Sequence, residues 1–428
     1  MDHFNYKDGR LSAEDVSLAT IADDVATPFY AYSTATLERH YLAFAQALSN
    51  LDSLICFSVK ANSNTAVIRT LGLKGAGADV VSGGELQRAL SAGIAADKIV
   101  FSGVGKTAAE LSQALQAGIL QINVESEPEL ETLNRVATGL GVVATVGLRI
   151  NPDVDANTHA KITTGKGENK FGIEWPRTLE VYRAAARMPA LRPVGLAVHI
   201  GSQLADLEPF GNAFRRLADL TAQLRAEGLT VERLDLGGGL GVPYGDTGEP
   251  LPGPVDYAAV VEDVLGKVGC QLIFEPGRVI AANAGVLVTR VIYVKQGVAR
   301  NFVIVDAAMN DLTRPSLYDA FHAIVPVKEP ATDAENLPVD VVGPICETGD
   351  TFGSQRHLPP VQAGDLLAIR SAGAYGATMA STYNTRALVP EVLVQGRNYA
   401  VVRRRVEIAD LLDLERQPAW LSNQELNR

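Results

Sequence analysis

The sequence predicts a (β/α)8 barrel followed by an all-β domain, and three observations lead to this fold class. From about residue 33 to 280, eight short apolar, β-branched runs alternate with longer amphipathic segments. Apolar runs separated by helical segments are typical of buried parallel strands, and eight of them in about 250 residues match the size of such a barrel. After about Gly285 the helical periodicity fades, and strand-like runs punctuated by proline and glycine follow. An open, doubly wound sheet is the alternative for the first part.

The eight predicted barrel strands are, in order, ICFSVK, ADVVS, KIVFSG, LQINV, ATVGLRI, GLAVHIG, RLDLGG and LIFEPG. Three segments between them have helical periodicity: Gly84 to Gly93, Thr107 to Gly118 and Glu127 to Leu140. Two of the three end on a glycine, as helices commonly do. The third follows Ser126, and Glu129 three residues later predicts a capping box.

We predict that the barrel comprises residues 31–282 and the β domain residues 283–428. The strand-like runs of the second part are VLVTRVIYVKQG, RNFVIVDA, LPVDVVGPI, GDLLAIRSAG, RALVPEVLVQG and NYAVVRRRV. The segment PVKEPATDAENLP (326–338) is typical of an exposed loop. The first 30 or so residues precede the first barrel helix, and we expect them to add one or more strands to the β domain.

Composition excludes several classes of protein. The 428 residues are 47% hydrophobic and 20% charged, as in a globular chain of two domains. A net charge of -11 argues against nucleic acid binding. Cys56, Cys270 and Cys346 are too scattered for a disulfide framework or zinc site, and no two of the six histidines have ligand spacing. With no basic-then-apolar leader and no apolar run of ~18 residues, we expect a cytoplasmic protein without metal or membrane contact.

Polar residues or glycines follow most of the predicted barrel strands. In such barrels the chemistry takes place at the C-terminal ends of the strands, so these residues are expected to meet at one rim. They are Lys60 after the first strand, Asp79, Ser82 and Glu85 at the second, Arg149, Asn151 and Asp153 at the fifth, His199 and Ser202 at the sixth, Gly237 to Gly241 at the seventh, and Glu275 and Arg278 at the eighth. A lone lysine at a strand end usually reaches solvent. Residues of such varied chemistry at one rim indicate a binding site.

The glycine run Gly237 to Gly241 suggests a class of ligand. No Gly-Lys-Ser/Thr follows it, and Val242 stands where a dinucleotide fingerprint needs its last glycine. A tight strand-to-helix turn is one explanation of the run. The other is a phosphate site, because barrels often bind phosphate in the loops after strands seven and eight. The eighth strand ends in Pro276, Gly277 and Arg278, which favours the phosphate site.

A lysine and a phosphate site on one rim suggest pyridoxal phosphate. Lys60 would hold the aldehyde as a Schiff base, and we expect burial to lower the pKa of its amine and make it nucleophilic. A carboxylate at the ring nitrogen keeps that nitrogen protonated, so that the ring can accept electrons. Glu275 is suited to this role. His199 could stack on the ring, or it could be a histidine of the polar core.

Seven motifs resemble those of the diaminopimelate decarboxylase family, which belongs to the alanine-racemase-like, barrel-fold pyridoxal phosphate enzymes. They are FSVKAN, LRINPD, HIGSQ, LGGGLG, EPGR, GPICETGD and GAYG, and they occur in order between about Thr27 and Arg397. The resemblance implies that Lys60 carries the cofactor, Glu275 pairs with the ring nitrogen and His199 lies against the ring. The other cofactor-binding residues it implies are Gly238, Gly239, Gly277, Arg278, Ser202, Asp79 and Tyr375, with Glu85 and Arg149 as supporting polar residues.

The same resemblance implies decarboxylation of meso-2,6-diaminopimelate at its D-centre, which yields L-lysine and CO2. The active site would lie at a homodimer interface, with Cys346 and Glu347 reaching the partner's site. Cys346 is the favoured proton donor to Cα and Lys60 the alternative, while a buried structural thiol is the simpler interpretation of Cys346. The residues predicted to bind substrate are Arg278, Arg314, Tyr318, Glu347 and Tyr375. Arg278, Arg314 and Tyr318 could hold the distal carboxylate, because a guanidinium group binds a carboxylate bidentately. Glu347 could pair with the distal ammonium.

Four other functions share parts of this pattern. Related ornithine and arginine decarboxylases usually carry Cys-Asp where Cys346 and Glu347 stand. Racemases of this fold tend to have arginine at the ring nitrogen, so Glu275 argues against them. A non-catalytic carrier of pyridoxal phosphate would need only the barrel. A cofactor-free phosphosugar enzyme remains open if Lys60 does not bind the aldehyde.

Overall fold

The structure is a computed structural model that describes residues 2–154, 170–245 and 251–422. Its strands are β1 (Phe4–Lys7), β2 (Arg10–Ala13), β3 (Val16–Ser17), β4 (Phe29–Ser33), β5 (Ser53–Ser58), β6 (Gly77–Val80), β7 (Ile99–Phe101), β8 (Gln121–Val124), β9 (Ala144–Asn151), β10 (Ile173–Glu174), β11 (Leu191–Ala197), β12 (Arg233–Asp235), β13 (Gln271–Phe274), β14 (Gly285–Gln296), β15 (Asn301–Val305), β16 (Ile324–Pro326), β17 (Leu337–Val342), β18 (Thr351–Leu358), β19 (Leu366–Ile369), β20 (Glu391–Gln395) and β21 (Asn398–Arg403).

The α-helices in the described ranges lie mostly between the strands of the first part of the chain. They are α1 (Leu18–Val25), α2 (Thr34–Ala47), α3 (Thr65–Gly72), α4 (Gly83–Ser91), α5 (Ala108–Ala117), α6 (Glu127–Leu140), α7 (Thr178–Arg187), α8 (Glu208–Ala226), α9 (Pro254–Leu265), α10 (Arg278–Ala281), α11 (Arg314–Tyr318), α12 (Ile408–Leu412) and α13 (Ala419–Ser422).

A closed parallel barrel is formed by β5, β6, β7, β8, β9, β11, β12 and β13. The barrel is closed, because β13 pairs with the first strand, β5, and β8 pairs with β9, so that none of the eight strands is left with an unpaired edge. These eight strands correspond in order to the eight predicted runs, so the barrel prediction is confirmed and the open sheet is excluded.

The three predicted helices are α4, α5 and α6, and their ends have local causes. Gly118 and Gly141, just past α5 and α6, both have φ of 68°, a left-handed conformation that glycine adopts without a Cβ clash. Ser126 accepts a hydrogen bond from the backbone N–H of Glu129, as predicted. The Glu129 carboxylate, however, accepts from the N–H of Glu125 and pairs with the buried Lys106 at 2.6 Å. The second half of the predicted capping box is therefore wrong, because a tertiary ion pair takes that carboxylate.

The interior of the barrel contains a polar network rather than only apolar side chains. Asn123 on β8 donates across the interior to the carboxylate of Asp235 on β12 at 2.7 Å, and it also donates to Ser102 at 3.1 Å. Gln121 donates to the Asn123 side-chain oxygen at 2.8 Å. A Cβ on Gly147 of β9 would lie 2.6 Å from both amide side chains, so glycine leaves the room that this network occupies.

An aromatic cluster supports the end of β13 from outside the barrel. Phe44 of α2 and Tyr257 of α9 pack against Phe274, and Phe210 and Phe214 of α8 pack against Tyr257, with neighbouring ring centroids 5.0 to 6.1 Å apart. Most contacts are edge-on or tilted, the geometry that aromatic rings prefer. Because Phe274 is the last residue of β13, the cluster fixes the point at which the chain enters the rim.

The second part of the chain forms a mixed sheet in the order β18-β17-β15-β14-β4-β20-β21, with β19 and β16 attached through β14. β4 lies between β14 and β20, so an N-terminal segment completes this sheet. A barrel followed by a domain formed mainly of β-sheet confirms the predicted fold class. The boundary at residues 282 and 283 stays a prediction. β18 was missed because TFGSQRHL is mostly polar and pairs on one side with β17.

No helix within residues 2–154, 170–245 and 251–422 is long and apolar enough to cross a membrane. In the same ranges, no group of three or more His, Cys, Asp or Glu side chains is arranged to hold a metal ion.

Candidate active site

A cavity of about 410 Å³ lies at the C-terminal ends of the barrel strands, against α11 and loop residues of the β domain. The predicted site residues that line it are Lys60, His199, Ser202, Gly238, Gly239, Glu275, Gly277, Arg278, Arg314, Tyr318 and Tyr375. The topology thus brings together side chains from four barrel strands and from two segments of the β domain. Asp79 is buried behind Lys60, whereas Glu85, Arg149, Cys346 and Glu347 do not line the cavity.

Lys60 follows β5 and is paired with a carboxylate from the neighbouring strand. Its Nζ donates to Asp79 Oδ2 at 2.8 Å, and the Ser58 hydroxyl donates to the same oxygen at 2.5 Å. Burial lowers the pKa of Lys60, but the charges of Asp79 and Glu275 raise it, and the balance lies above its ordinary value. The expected lowered pKa is therefore wrong. The reason is the β5–β6 register, which places Asp79 opposite Ser58.

His199 is held as a neutral ring at the cavity wall. The backbone N–H of Gly238 points to His199 Nδ1 at 3.2 Å, so Nδ1 is the acceptor and Nε2 carries the proton. Burial, together with the positive charges of Arg149 and Lys60, holds the pKa of His199 well below its usual range. This hydrogen bond joins the glycine run after β12 to the histidine after β11 at the rim of the barrel.

Glu275 lies at the end of β13 beside a second buried carboxyl group, Asp235. Burial raises the pKa of Asp235 to about 6, and Asn123 donates a hydrogen bond to its carboxylate at 2.7 Å. Burial raises the pKa of Glu275 well above its ordinary value, and the charges of Asp235 and Asp79 raise it further. Ser102 also donates to Glu275, at 3.2 Å. The polar network of the barrel interior therefore ends at Glu275.

Arg278 is fixed by groups from three different loops. Its Nη1 donates to the hydroxyl of Tyr244 at 2.5 Å and its Nη2 donates to Ser202 at 2.9 Å. Its guanidinium carbon lies 4.8 Å from the ring centre of Tyr375. The Arg278 side chain is buried, and its Nε has no hydrogen-bond partner among the described residues.

Arg314 contacts the ring of Tyr244, the tyrosine to which Arg278 is hydrogen-bonded. Its guanidinium carbon is 4.4 Å from the ring centre of Tyr244. Burial lowers the pKa of Arg314, and the charge of Arg278 adds to this, although the group remains cationic. Within the described ranges no ion pair joins either arginine to a carboxylate of the chain. Two buried cations without anionic partners make this end of the cavity suited to an anion.

Tyr375 connects the β domain to the lysine loop. Its backbone N–H donates to the carbonyl of Ala61, next to Lys60, at 2.7 Å. Its φ of 55° is in the left-handed region, which a bulky side chain adopts only where the surrounding structure holds it there. The strained backbone and the hydrogen bond together fix the tyrosine ring at the cavity wall.

The remaining predicted residues lie elsewhere. Glu85 accepts the backbone N–H of Val81 at 2.8 Å, near the start of α4. Arg149 pairs with Glu125 at 2.9 Å. Cys346 and Glu347 are exposed on the turn between β17 and β18, and Glu347 accepts a hydrogen bond from the hydroxyl of Tyr383. Burial of the Cys346 thiol, the simpler alternative, is therefore wrong for this chain.

Tyr244, Asp235 and Ser102 are among the residues of the site that sequence reasoning missed. Tyr244 follows the glycine run by three residues, and its place in the loop after the seventh strand was an available signal. Asp235 lies within the predicted run RLDLGG and Ser102 within KIVFSG, where a single polar residue in a short apolar run gives little signal of a site.

Residues 34–282, which contain the barrel, match the family described as "Pyridoxal-dependent decarboxylase, pyridoxal binding domain". The fold and the site therefore define a pyridoxal phosphate-dependent decarboxylase of the barrel-fold class.

Relatives of similar length narrow this class. The chain is 53% identical to diaminopimelate decarboxylase from Vibrio cholerae over 417 residues, which is 97% of this chain and 99% of the relative. The crystal structure of diaminopimelate decarboxylase from Helicobacter pylori complexed with L-lysine is 44% identical with a TM-score of 0.89 and covers 92% of this chain and 98% of that one. The enzyme from M. jannaschii in co-complex with L-lysine is 36% identical, with a TM-score of 0.93 over 98% and 99% of the two chains. The chain belongs to the diaminopimelate decarboxylase family.

Proposed function

We propose that the protein removes the D-centre carboxylate of meso-2,6-diaminopimelate to give L-lysine and CO2. The observation that carries this proposal is the pair of buried guanidinium groups, Arg278 and Arg314, in one cavity with Lys60. Diaminopimelate has a carboxylate at each end, whereas ornithine has one. The relatives named as diaminopimelate decarboxylases, two of which were solved with L-lysine, support the same substrate.

The residues of the cavity fit pyridoxal phosphate. Arg278 lines the cavity and has a buried Nε without a partner in the described part of the chain, and a buried guanidinium N–H suits a phosphate oxygen. At Gly239, φ is 119° and a Cβ would lie 2.5 Å from the carbonyl oxygen of Gly201. Only glycine fits there, so the loop backbone can form the cavity wall directly.

We assign contacts to the cofactor as follows. The phosphate would be held by Ser202, Gly238, Gly239, Gly277 and Arg278, the aldehyde by Lys60, the ring nitrogen by Glu275, and the ring faces by His199 and Tyr375, with Asp79 behind Lys60. When bound, pyridoxal phosphate supplies an electrophilic aldehyde and a ring that accepts an electron pair.

The chain's own residues control charge and protons around that group. Asp79 holds Lys60 as an ammonium and is within 2.8 Å, so it can take the proton that the amine must lose before it acts as a nucleophile. Burial and the charges of Asp235 and Asp79 raise the pKa of Glu275, so a cationic ring nitrogen beside it would favour its ionised form. His199 stays neutral and adds no competing charge.

Substrate orientation would depend on the two arginines and two tyrosines. Arg314 and Arg278 would receive the distal carboxylate, with Tyr318 and Tyr375 beside them on the cavity wall. A distal amino acid group held in this way leaves the other end of the substrate at Lys60. Orientation of the bond to be broken is the main contribution of such contacts to catalysis.

We infer that the protein works as a homodimer and that the partner subunit's Cys346 returns the proton to Cα. In support, Cys346 and Glu347 are exposed and lie outside the cavity of their own chain, where a second copy has access to them. Glu347 of the partner subunit would pair with the distal ammonium of the substrate. Lys60 is the alternative proton donor. A cytoplasmic location stays a prediction from the sequence.

Product analysis tests the proposed function. Purified protein loaded with pyridoxal phosphate is given meso-diaminopimelate, LL-diaminopimelate, L-ornithine, L-arginine or L-lysine. We expect L-lysine and CO2 from the meso isomer alone. Turnover of ornithine or arginine instead would contradict the assignments of Arg314 and Tyr318, and turnover of the LL isomer would contradict attack at the D-centre.

A further inference from the structure

His322 is bonded to Arg314 from behind the cavity wall. Arg314 Nη1 lies 2.8 Å from His322 Nε2, and the histidine side chain is fully buried. His322 does not line the cavity, whereas Arg314 does. The histidine therefore touches a substrate-binding candidate but has no access to the substrate itself.

The partners of His322 determine its protonation. Its Nδ1 lies 2.9 Å from the carbonyl oxygen of Arg370, which can only accept, so Nδ1 carries the hydrogen. A guanidinium can only donate, so Nε2 is the unprotonated acceptor for Arg314. Burial, with the charge of Arg314, lowers the pKa of His322 to about 3. The ring is thus a neutral acceptor with a defined tautomer across the physiological pH range.

The second sheet fixes the position of this acceptor. Arg370 directly follows β19, and Ile369 of β19 pairs with Ile324 of β16, two residues after His322. The backbone N–H of Arg370 donates to the carbonyl of Ala323 at 2.8 Å. The Tyr244 ring lies edge-on to His322 with centroids 5.1 Å apart, and its face contacts Arg314. The pairing of β16 with β19 thus fixes His322, and His322 in turn fixes Arg314.

We propose that His322 is a positioning residue for substrate recognition, which holds Arg314 Nη1 so that the other N–H groups of this guanidinium are presented to the distal carboxylate of the substrate. The inference rests on the proposed function, because it assigns Arg314 to that carboxylate. An arginine side chain loses considerable rotamer freedom when it binds a ligand. A guanidinium already held at one nitrogen loses less, and binding is correspondingly tighter.

Two substitutions separate this role from a structural one. In His322→Asn, the shorter amide can still donate to the carbonyl of Arg370 but cannot reach Arg314. In His322→Gln, the longer amide can accept from Arg314 but loses the bond to that carbonyl. A positioning role predicts that Asn impairs substrate binding and that Gln recovers most of it, whereas a structural role predicts the reverse order.

For His322→Asn holoenzyme we expect KM for meso-diaminopimelate to rise about tenfold with little change in kcat, since one hydrogen bond to a charged group is involved. Calorimetric binding of L-lysine, which keeps the distal carboxylate, should weaken by a similar factor. Binding of 1,5-diaminopentane, which has no carboxylate, should be unchanged. Equal weakening of both ligands, or KM and L-lysine affinity equal to wild type, would overturn the inference.

A double-mutant cycle tests whether His322 acts through Arg314. In an Arg314→Met background, His322→Asn should cause no further rise in KM, and independent multiplicative effects would contradict the proposal. If neither His322 variant folds, a crystal structure of wild-type holoenzyme with L-lysine tests the proposed contact instead. Arg314 should contact both His322 Nε2 and the L-lysine carboxylate, and an Arg314 that has left either partner overturns the inference. Failure of wild type to convert meso-diaminopimelate would instead refute the proposed function.

Discussion

Lys60 Nζ lies 2.8 Å from Asp79 Oδ2, and the two side chains come from neighbouring barrel strands. The parallel pairing of β5 and β6 sets Ser58 opposite Asp79, two residues before the lysine. A carboxylate buried at this register holds a cation at the rim without an exposed ion pair. The arrangement gives Lys60 a fixed direction and a nearby acceptor for its proton.

Replacement of Lys60 by alanine should abolish activity while the protein stays folded. We expect kcat to fall by roughly a thousandfold or more, because no other lysine lines the cavity in the described part of the chain. The visible absorbance of lysine-bound pyridoxal phosphate should disappear, and the circular dichroism spectrum should not change. Lys98→Ala, an exposed lysine at the opposite end of a barrel strand, serves as the matched control. Full activity of Lys60→Ala would refute the proposed mechanism.

Replacement of Asp79 by asparagine should lower the pKa of Lys60. Burial lowers this pKa and the carboxylates raise it, so removal of one carboxylate moves it downward. Cofactor-free Asp79→Asn should therefore attach pyridoxal phosphate at a lower pH than wild type, as followed by absorbance. Ser58→Ala, which removes a neutral neighbour of the same oxygen, is the control. An unshifted pH dependence in Asp79→Asn would contradict the role of the ion pair.

Replacement of Arg314 by methionine should impair substrate binding more than the chemical step. Loss of charge-assisted hydrogen bonds predicts a rise in KM for meso-diaminopimelate of roughly ten- to a hundredfold. Arg314→Lys should recover part of the loss, because it keeps the charge but not the bidentate fork. Steady-state kinetics of the two variants measure KM and kcat. A KM of Arg314→Met equal to that of wild type would show that this arginine does not bind the substrate.

Mixing two inactive variants should restore activity if the active sites are shared. Cys346→Ala should retain the cofactor absorbance but turn over poorly. When Lys60→Ala and Cys346→Ala are unfolded together and refolded at equal amounts, half of the dimers are mixed and each has one intact site, so about a quarter of wild-type activity should return. No recovery, with dimers present by light scattering, would show that Cys346 does not act in its partner's site.

Stability should depend on His322 in acid. The pKa of His322 is about 3 in the folded protein, below its ordinary value, so the unfolded chain takes up a proton first as pH falls. The stabilisation is fully present above pH 6.5 and is lost progressively toward pH 3, by about 2 kcal/mol between pH 8 and pH 5. The charges of Arg314, Arg278 and Arg356 act in the same direction as burial.

Urea unfolding at a series of pH values measures this effect. The advantage of wild type over His322→Gln should shrink by that amount as pH falls from 8 to 5. His357→Gln, at an exposed histidine, should keep the wild-type pH dependence. A pH-independent difference between wild type and His322→Gln would show that folding does not lower the pKa of His322.

Local patterns were sufficient to predict the barrel and the residues at its rim. Apolar runs, their spacing and the intervening amphipathic segments identified all eight strands in order, because each strand is buried on both faces and each connection is a helix. The rule that barrel chemistry gathers at the C-terminal strand ends then selected Lys60, His199, the glycine run, Glu275 and Arg278 without knowledge of any contact.

Only the tertiary structure decided which side chains meet. Asn123 and Asp235 bond across the barrel although they are 112 residues apart, and Tyr244 joins Arg278 to Arg314 from different parts of the chain. The pairing of Lys60 with Asp79 and of Glu129 with Lys106 reversed two expectations drawn from local pattern. The physical reason is that such contacts depend on ring closure and strand register, which bring distant residues together, whereas hydrophobic periodicity records only which face of each element is buried.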